Sequence, residues 1–248
     1  FAGKIGVNNV TTDEIERLYI LKVLECKKID VENYNSITYI RIDPENLSVT
    51  IRDIITSLSN LSWIAKFDKS YIRNSFFKRA EDTAEYLADK ILKDDGDKIT
   101  EDSGEYVVSE LAREALVIEL KYLDVPLAEL FKEQVSGNPG FDFYSANKEK
   151  VIIFGEAKYS SGRNAYGIGM EQVDRFIREG QDVSDLNDID KFFEEESLKL
   201  ADKGDKAYAI AFAAKGTASD MIIKGIIRNK HYKDIAINKE VIFLAVNV

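Results

Sequence analysis

The sequence predicts an α/β fold, a central mixed sheet flanked by helices, and three observations predict it. Two long stretches carry apolar residues at three- and four-residue spacing, as helices do. Two short runs, AYAIAFA (207–213) and VIFLAVNV (241–248), are apolar without interruption, as buried strands are. From Glu105 onward the order is helix, up to three strands, helix, strand, helix, strand, which suits helices packed on a sheet. With 248 residues, 45% of them hydrophobic, the chain can bury a sizeable core.

Taken in order, Ser36 to Asp43 (SITYIRID) alternates apolar and polar residues and reads as a strand. Tyr71 to Leu92 reads as a helix through Ile72, Phe76, Ala80, Ala84, Leu87 and Ile91. Asp94 to Gly104 is polar and punctuated by glycine, so it marks the expected boundary between an N-terminal mixed α/β region (1–103) and a core (104–248). The N-terminal region shows no nameable chemistry and is expected to bind a partner or regulate. A helix from about Glu105 to Leu123 follows, stopped by Asp124 and Pro126. Ala128 to Val135 is ambiguous. Phe141–Ser145 and Val151–Lys158 read as strands joined by the turn Ala146–Lys150. Gly169–Ile177, Ser184–Leu200 and Ala218–Arg228 read as helices, the second strongly charged.

The net charge is −10, whereas a solitary nucleic-acid binder usually carries a basic footprint. Charge is uneven: nine acidic residues between Asp182 and Asp205 oppose three lysines, and six basic residues between Lys215 and Lys239 oppose two aspartates. These are solvated helix faces, or a basic rim for phosphate and an acidic region for a protein partner. No run of 18 apolar residues and no basic-then-apolar leader is visible, so a cytoplasmic protein is expected. Cys26 is the single cysteine and His231 the single histidine, and neither has partners at catalytic spacing. A cysteine-based zinc site is excluded.

The chemistry concentrates in Gly140-Phe-Asp-Phe-Tyr144, nine spacer residues, then Phe154-Gly-Glu-Ala-Lys-Tyr159. In a strand, residues two apart share a face, so Glu156 and Lys158 lie together with Ile152 and Phe154. A charged pair on such an apolar strand is costly unless paired or bound to metal. If the strands form a hairpin, Asp142 approaches Glu156. Two carboxylates can hold Mg²⁺ or Mn²⁺, which activates water and stabilises charge on a phosphodiester, while a lysine orients the water or offsets that charge. Glu-Ala-Lys alone is common; the upstream Asp gives it meaning. Glu114, on the apolar face of the preceding helix, is the candidate third carboxylate, with Glu110 in reserve. Gln172 lies on the following helix.

Other features have plainer readings. Tyr144 and Tyr159 are packing residues before they are base-stacking ones. Ser160–Arg163 and Gly167–Gly169 form a glycine-rich opening to a helix that could hold phosphate, with Arg163 and Arg175 as contacts. No P-loop is present. The aspartates 182, 185, 188 and 190 lack EF-hand spacing and read as a solvated loop and helix start.

The Asp142, Glu156 and Lys158 pattern resembles the PD-(D/E)xK nuclease superfamily, over roughly Glu105 to Val248. The resemblance implies a restriction-endonuclease-like core and Mg²⁺-dependent DNA cleavage. It also implies metal ligation by Asp142, Glu156 and Glu114, and catalytic roles for Lys158 and Gln172. Gln172 with Phe176 is similar to the Gln-x-x-x-Tyr element of the RecB-like branch, with Phe in place of Tyr. More finely, ELFKEQVSGNPGFDFYS followed by IFGEAKYSSG resembles the nuclease subunit of Hachiman antiphage systems. That resemblance implies an antiviral defence effector restrained by a helicase partner. The alternatives are a restriction endonuclease and a non-catalytic module that keeps the nuclease fold.

Overall fold

The computed structural model describes residues 22–32, 34–92, 101–132, 140–160 and 164–248. Six strands form one mixed sheet in the order β1-β2-β6-β5-β4-β3: β1 Val23–Ile29, β2 Ile37–Ile42, β3 Phe143–Ala146, β4 Ile152–Lys158, β5 Ala207–Ala213 and β6 Glu240–Val246. The four inner strands β2, β6, β5 and β4 are parallel, and the edge strands β1 and β3 are antiparallel to their neighbours. The parallel strands β5 and β6 are buried on both faces, which is why they are apolar without alternation.

The helices are α1 Leu47–Ser59, α2 Ser70–Leu92, α3 Glu101–Leu120, α4 Ala165–Glu179, α5 Gln181–Ile189, α6 Glu195–Asp202, α7 Ser219–Arg228 and α8 Tyr232–Ala236. Asn46 caps α1 by accepting from Val49 N, and Asn164 caps α4 by accepting from Gly167 N. The connection between the parallel strands β4 and β5 carries α4 to α6; that between β5 and β6 carries α7 and α8. No helix among the described residues is long and apolar enough to cross a membrane.

Three expectations change. The helix expected over Ser184–Leu200 is broken into α5, a 3₁₀ turn at Asp190–Phe192 and α6. The break turns Phe192 and Phe193 into the core, where Phe192 packs against Trp63, Phe67, Phe76 and Phe131. The helix expected over 105–123 starts at Glu101 and ends at Leu120, because Lys121 takes a left-handed φ of 57°. β1 was absent from the sequence reading. Its half-buried face mixes Glu25 and Lys27 with Val23 and Ile29 while Leu24 and Cys26 are exposed, so the usual apolar-in signal is lost.

The N-terminal strands continue the same sheet. β2 pairs with β6 from Ile37↔Val241 to Ile42↔Val246, and the boundary expected at 103/104 falls inside α3. Arg41 fastens this junction, donating to Thr217 O, Ser219 Oγ, Ala214 O and Asn247 Oδ1.

Candidate active site

The hairpin assembles the carboxylates. β3 and β4 pair from Ala146↔Ile152 to Phe143↔Gly155, so Asp142 stands opposite Glu156 one step beyond the last rung. Asp142 N donates to Gly155 O at 2.8 Å, and Asp142 Oδ2 accepts from Ala157 N at 2.7 Å. The side chain thus takes the place of a ladder carbonyl. Phe141 has already turned away, its N–H donating to Asp185 Oδ2. Glu156 and Lys158 sit at the C-terminal end of β4, the end at which parallel sheets present their sites.

Glu156 is fully buried. Its Oε1 forms an ion pair with Lys158 Nζ at 2.8 Å, and no other donor reaches either carboxylate oxygen among the described residues. Burial, then the charge of Asp142, push its pKa well above the ordinary carboxylate range, against the pull of Lys158. Asp142 is pushed up to about 6 by burial, with Lys158 and the Ala157 N–H opposing. Burial works against the Lys158 ammonium, but Glu156, Asp142 and Glu105 hold its pKa above the usual lysine value.

Two further carboxylates join them. Glu105 Oε1 accepts from Lys158 Nζ at 3.2 Å. It reaches there because α3 lies close to Tyr159: a Cβ on the preceding Gly104 would fall 2.2 Å from that ring. Glu129 lies in a 3₁₀ turn, Ala128–Leu130, tied down by Ala128 N donating to Asp142 O at 3.0 Å. Its Oε2 is buried without a donor among the described residues, and burial plus the Asp142 charge push its pKa up to about 8. Sequence reasoning missed both. Glu105 read as a helix start because α3 begins one turn earlier than expected. Glu129 carried a signal, a lone carboxylate in the apolar run Val125–Phe131.

Glu114 is not brought to this site. It lies nine residues beyond Glu105, roughly 13 Å along the helix and half a turn around it. Its charge acts on Arg113 instead. Glu110, the reserve candidate, forms a buried ion pair with Arg113 and accepts from Ser57 Oγ. Glu105→Gln is therefore expected to lower any activity of the site at least tenfold, whereas Glu114→Ala leaves it within about twofold; equal effects in a turnover assay would overturn this placement. Gln172 is half-buried on α4, one turn beyond Gly169, whose absent Cβ lets the helix lie against Ile210 and the Lys158 stem. No hydrogen bond ties Gln172 to the carboxylates among the described residues. Arg175 is exposed, 4.0 Å from Glu179; Arg163 lies outside the described residues with Ser161 and Gly162, and Gly167–Gly169 lie inside α4 rather than ahead of it. His231, in contrast, has a partner: its Nδ1 is 2.6 Å from Asp174 Oδ2.

The aspartates read as a solvated loop are partly structural. Asp182 accepts from Lys206 Nζ and Tyr208 OH at 2.6 and 2.7 Å. Asp185 accepts from Tyr144 OH at 2.6 Å, Phe141 N at 3.1 Å and Gln181 Nε2 at 3.0 Å, and pairs with Lys132 at 2.9 Å. Tyr144 is therefore a packing residue that also fastens the hairpin. Asp188 and Asp190 are exposed.

Among the described residues, no three His, Cys, Asp or Glu side chains are arranged to hold a metal ion. The donor chemistry nevertheless suits a hard cation. Asp142 and Glu156 face each other, and the oxygens of Glu156 have no donor but Lys158 among the described residues. Mg²⁺ often needs only one or two carboxylates and completes its shell with water and substrate oxygens. Comparison with protein families, with characterised proteins and with solved structures found no match.

Proposed function

We propose that this chain is a metal-dependent nuclease that cleaves DNA, with a restriction-endonuclease-like core formed by α3, the β3–β4 hairpin, α4 and the strands behind them. The observation that carries the reading is the cross-strand pair Asp142 and Glu156, with Lys158 Nζ 2.8 Å from Glu156 as the one donor near its buried oxygens among the described residues. In this reading Asp142 and Glu156 hold Mg²⁺ or Mn²⁺, and Glu105 or Glu129 rather than Glu114 is the third carboxylate in reach. The cation would lower the pKa of a bound water and stabilise the phosphodiester oxygens. Lys158, held charged by its carboxylate neighbours, orients the attacking water and offsets negative charge in the transition state. The apolar wall of Phe141, Phe154 and Phe176 keeps the base of the site dry.

The charge of −10 supports a setting in which the chain does not find DNA unaided. We place it in the cytoplasm, as a bacterial antiphage effector of the Hachiman kind, delivered to DNA and restrained by a helicase subunit. Co-elution with the product of the neighbouring gene tests the partner: a helicase there supports this reading, and a methyltransferase with no helicase would favour a restriction enzyme.

A thermal melt tests the metal, with the sign set by the carboxylates. Asp142, with a pKa of about 6 in the folded chain, contributes stability that is full below the ordinary carboxylate pKa and lost as pH rises through about 6. Glu156 shifts in the same direction. In EDTA the melting temperature is expected to fall between pH 5 and pH 8. Millimolar Mg²⁺ or Mn²⁺ restores several degrees at pH 8 and little at pH 5, since the cation binds the ionised carboxylates. A melt at pH 8 that ignores both cations would favour a non-catalytic binding module instead.

A further inference from the structure

One flank of α2 is chemically unlike the rest of this acidic chain. Ile72, Ser75, Arg79, Tyr86 and Lys90, spaced three, four and seven apart, form a single stripe along the helix. The acids Glu81, Asp82, Glu85 and Asp89 lie on the outer face, and Phe76, Ala80, Ala84, Leu87 and Ile91 are buried on the inner one. At one end the stripe walls a cavity of about 410 Å³, whose other lining includes Tyr71, Phe131, Lys132, Lys191 and Asp188. Arg79, Lys132 and Lys191 line it against Asp188, and each of the three also has a partner within the chain. Tyr71 stands 66% exposed at its lip.

The stripe leads toward the carboxylates. Arg79 Nη1 donates to Phe131 O at 3.3 Å, two residues from Glu129, and α2 packs against the turn that holds Glu129. At the far end Lys90 Nζ stacks 5.3 Å above the half-exposed Tyr86 ring. There α2 packs against α3, and the charge of Lys90 reaches Tyr106, the α3 residue next to Glu105. Exposed aromatic rings alternating with cations along a groove are what a single polynucleotide strand requires: bases stack on the rings while phosphates meet the cations. A duplex, whose bases are already stacked, would gain nothing from the rings.

We propose that this flank of α2, with Lys132 and Lys191, is the track along which a single-stranded polynucleotide enters the Asp142–Glu156–Lys158 site. The inference rests on the nuclease reading, and the track supplies its substrate class. It also locates a patch of nucleic-acid affinity within a chain whose net charge opposes such binding.

The test uses the full chain carrying Glu156→Ala to block turnover, with fluorescein-labelled single-stranded DNA and RNA oligonucleotides and a DNA duplex of equal length. Binding is followed by anisotropy across a salt series. Tyr86→Ala is expected to weaken single-strand binding about fivefold or more, the loss of one stacked base. Lys191→Ala is expected to reduce the slope of log affinity against log salt by about 0.7, the loss of one phosphate contact on a single strand. Both residues are exposed, so melting curves should be unchanged. Binding identical to the parent in both variants, or duplex binding tighter than single-strand binding, would overturn the track. The two readings fail separately. Cleavage by the unmutated chain with no change in KM on Tyr86→Ala sinks the track alone. Single-strand binding weakened by the variants, with no cleavage under any divalent cation, sinks the nuclease and leaves the track.

Discussion

Glu156→Ala is expected to lower DNA cleavage by roughly 10³-fold or more while leaving the fold intact. On the proposed metal reading, the size follows from losing charge stabilisation that a bound cation would supply, worth several kcal/mol at about 1.4 kcal/mol per decade of rate. The fold should survive because Glu156 is held only by its ion pair to Lys158 among the described residues, and its removal ends like-charge repulsion with Asp142. Lys158 keeps Glu105 as a partner. Asp142→Ala should match it in rate but melt lower, since its carboxylate also caps the Ala157 N–H at the hairpin end. Supercoiled and linear DNA with Mg²⁺ and Mn²⁺ provide the assay, and circular dichroism the check on folding. Cleavage by Glu156→Ala within tenfold of the unmutated chain would remove Glu156 from the chemistry.

Asp185→Ala is expected to cost about 3–5 kcal/mol of stability, the usual loss when one partner of a buried charge pair is removed. Asp185 is buried and holds Lys132, Tyr144, Phe141 and Gln181 at once. The variant leaves a half-buried ammonium, a buried phenol and a backbone N–H without their acceptor, and it releases the strand end that aims Asp142. In a chain of this length the melting temperature should drop by roughly 6–20 °C. Asp188→Ala, three residues along the same acidic run, should change stability by no more than about 0.5 kcal/mol, because Asp188 is exposed. Denaturant midpoints compare the two directly. Equal stability would mean that Asp185 does not brace the hairpin.

These two aspartates mark the limit of reading the chain as a string. Hydrophobic periodicity is local, so it located β2, β4, β5, β6, α2, α4 and α7 and made the class α/β legible. The two-residue period of a strand put Glu156 and Lys158 on one face, and the hairpin with Asp142 followed from two apolar runs around a polar turn. Those features depend on residues a few positions apart. What the sequence could not carry was every partnership between distant segments. β1 escaped because an edge strand with Glu25 and Lys27 on its half-buried face has no amphipathic signature. Asp182 and Asp185 looked solvated because the groups that neutralise them, Lys206, Tyr208, Lys132 and Tyr144, come from other elements.

The third carboxylate shows the same division. Glu114 was favoured by its place on an apolar helix face, but a helix presents several faces, and the sequence does not say which one meets the hairpin. The close approach of Gly104 to Tyr159 decides it, bringing Glu105 to Lys158 and leaving Glu114 beside Arg113. By itself, then, the sequence determined an α/β chain with Asp142, Glu156 and Lys158 on one hairpin, because strand alternation is a local rule. Only the tertiary structure decided that Glu105 and Glu129 close around them and that one sheet runs through both halves. Burial and Coulomb interactions act between residues that are far apart in the chain and close in space.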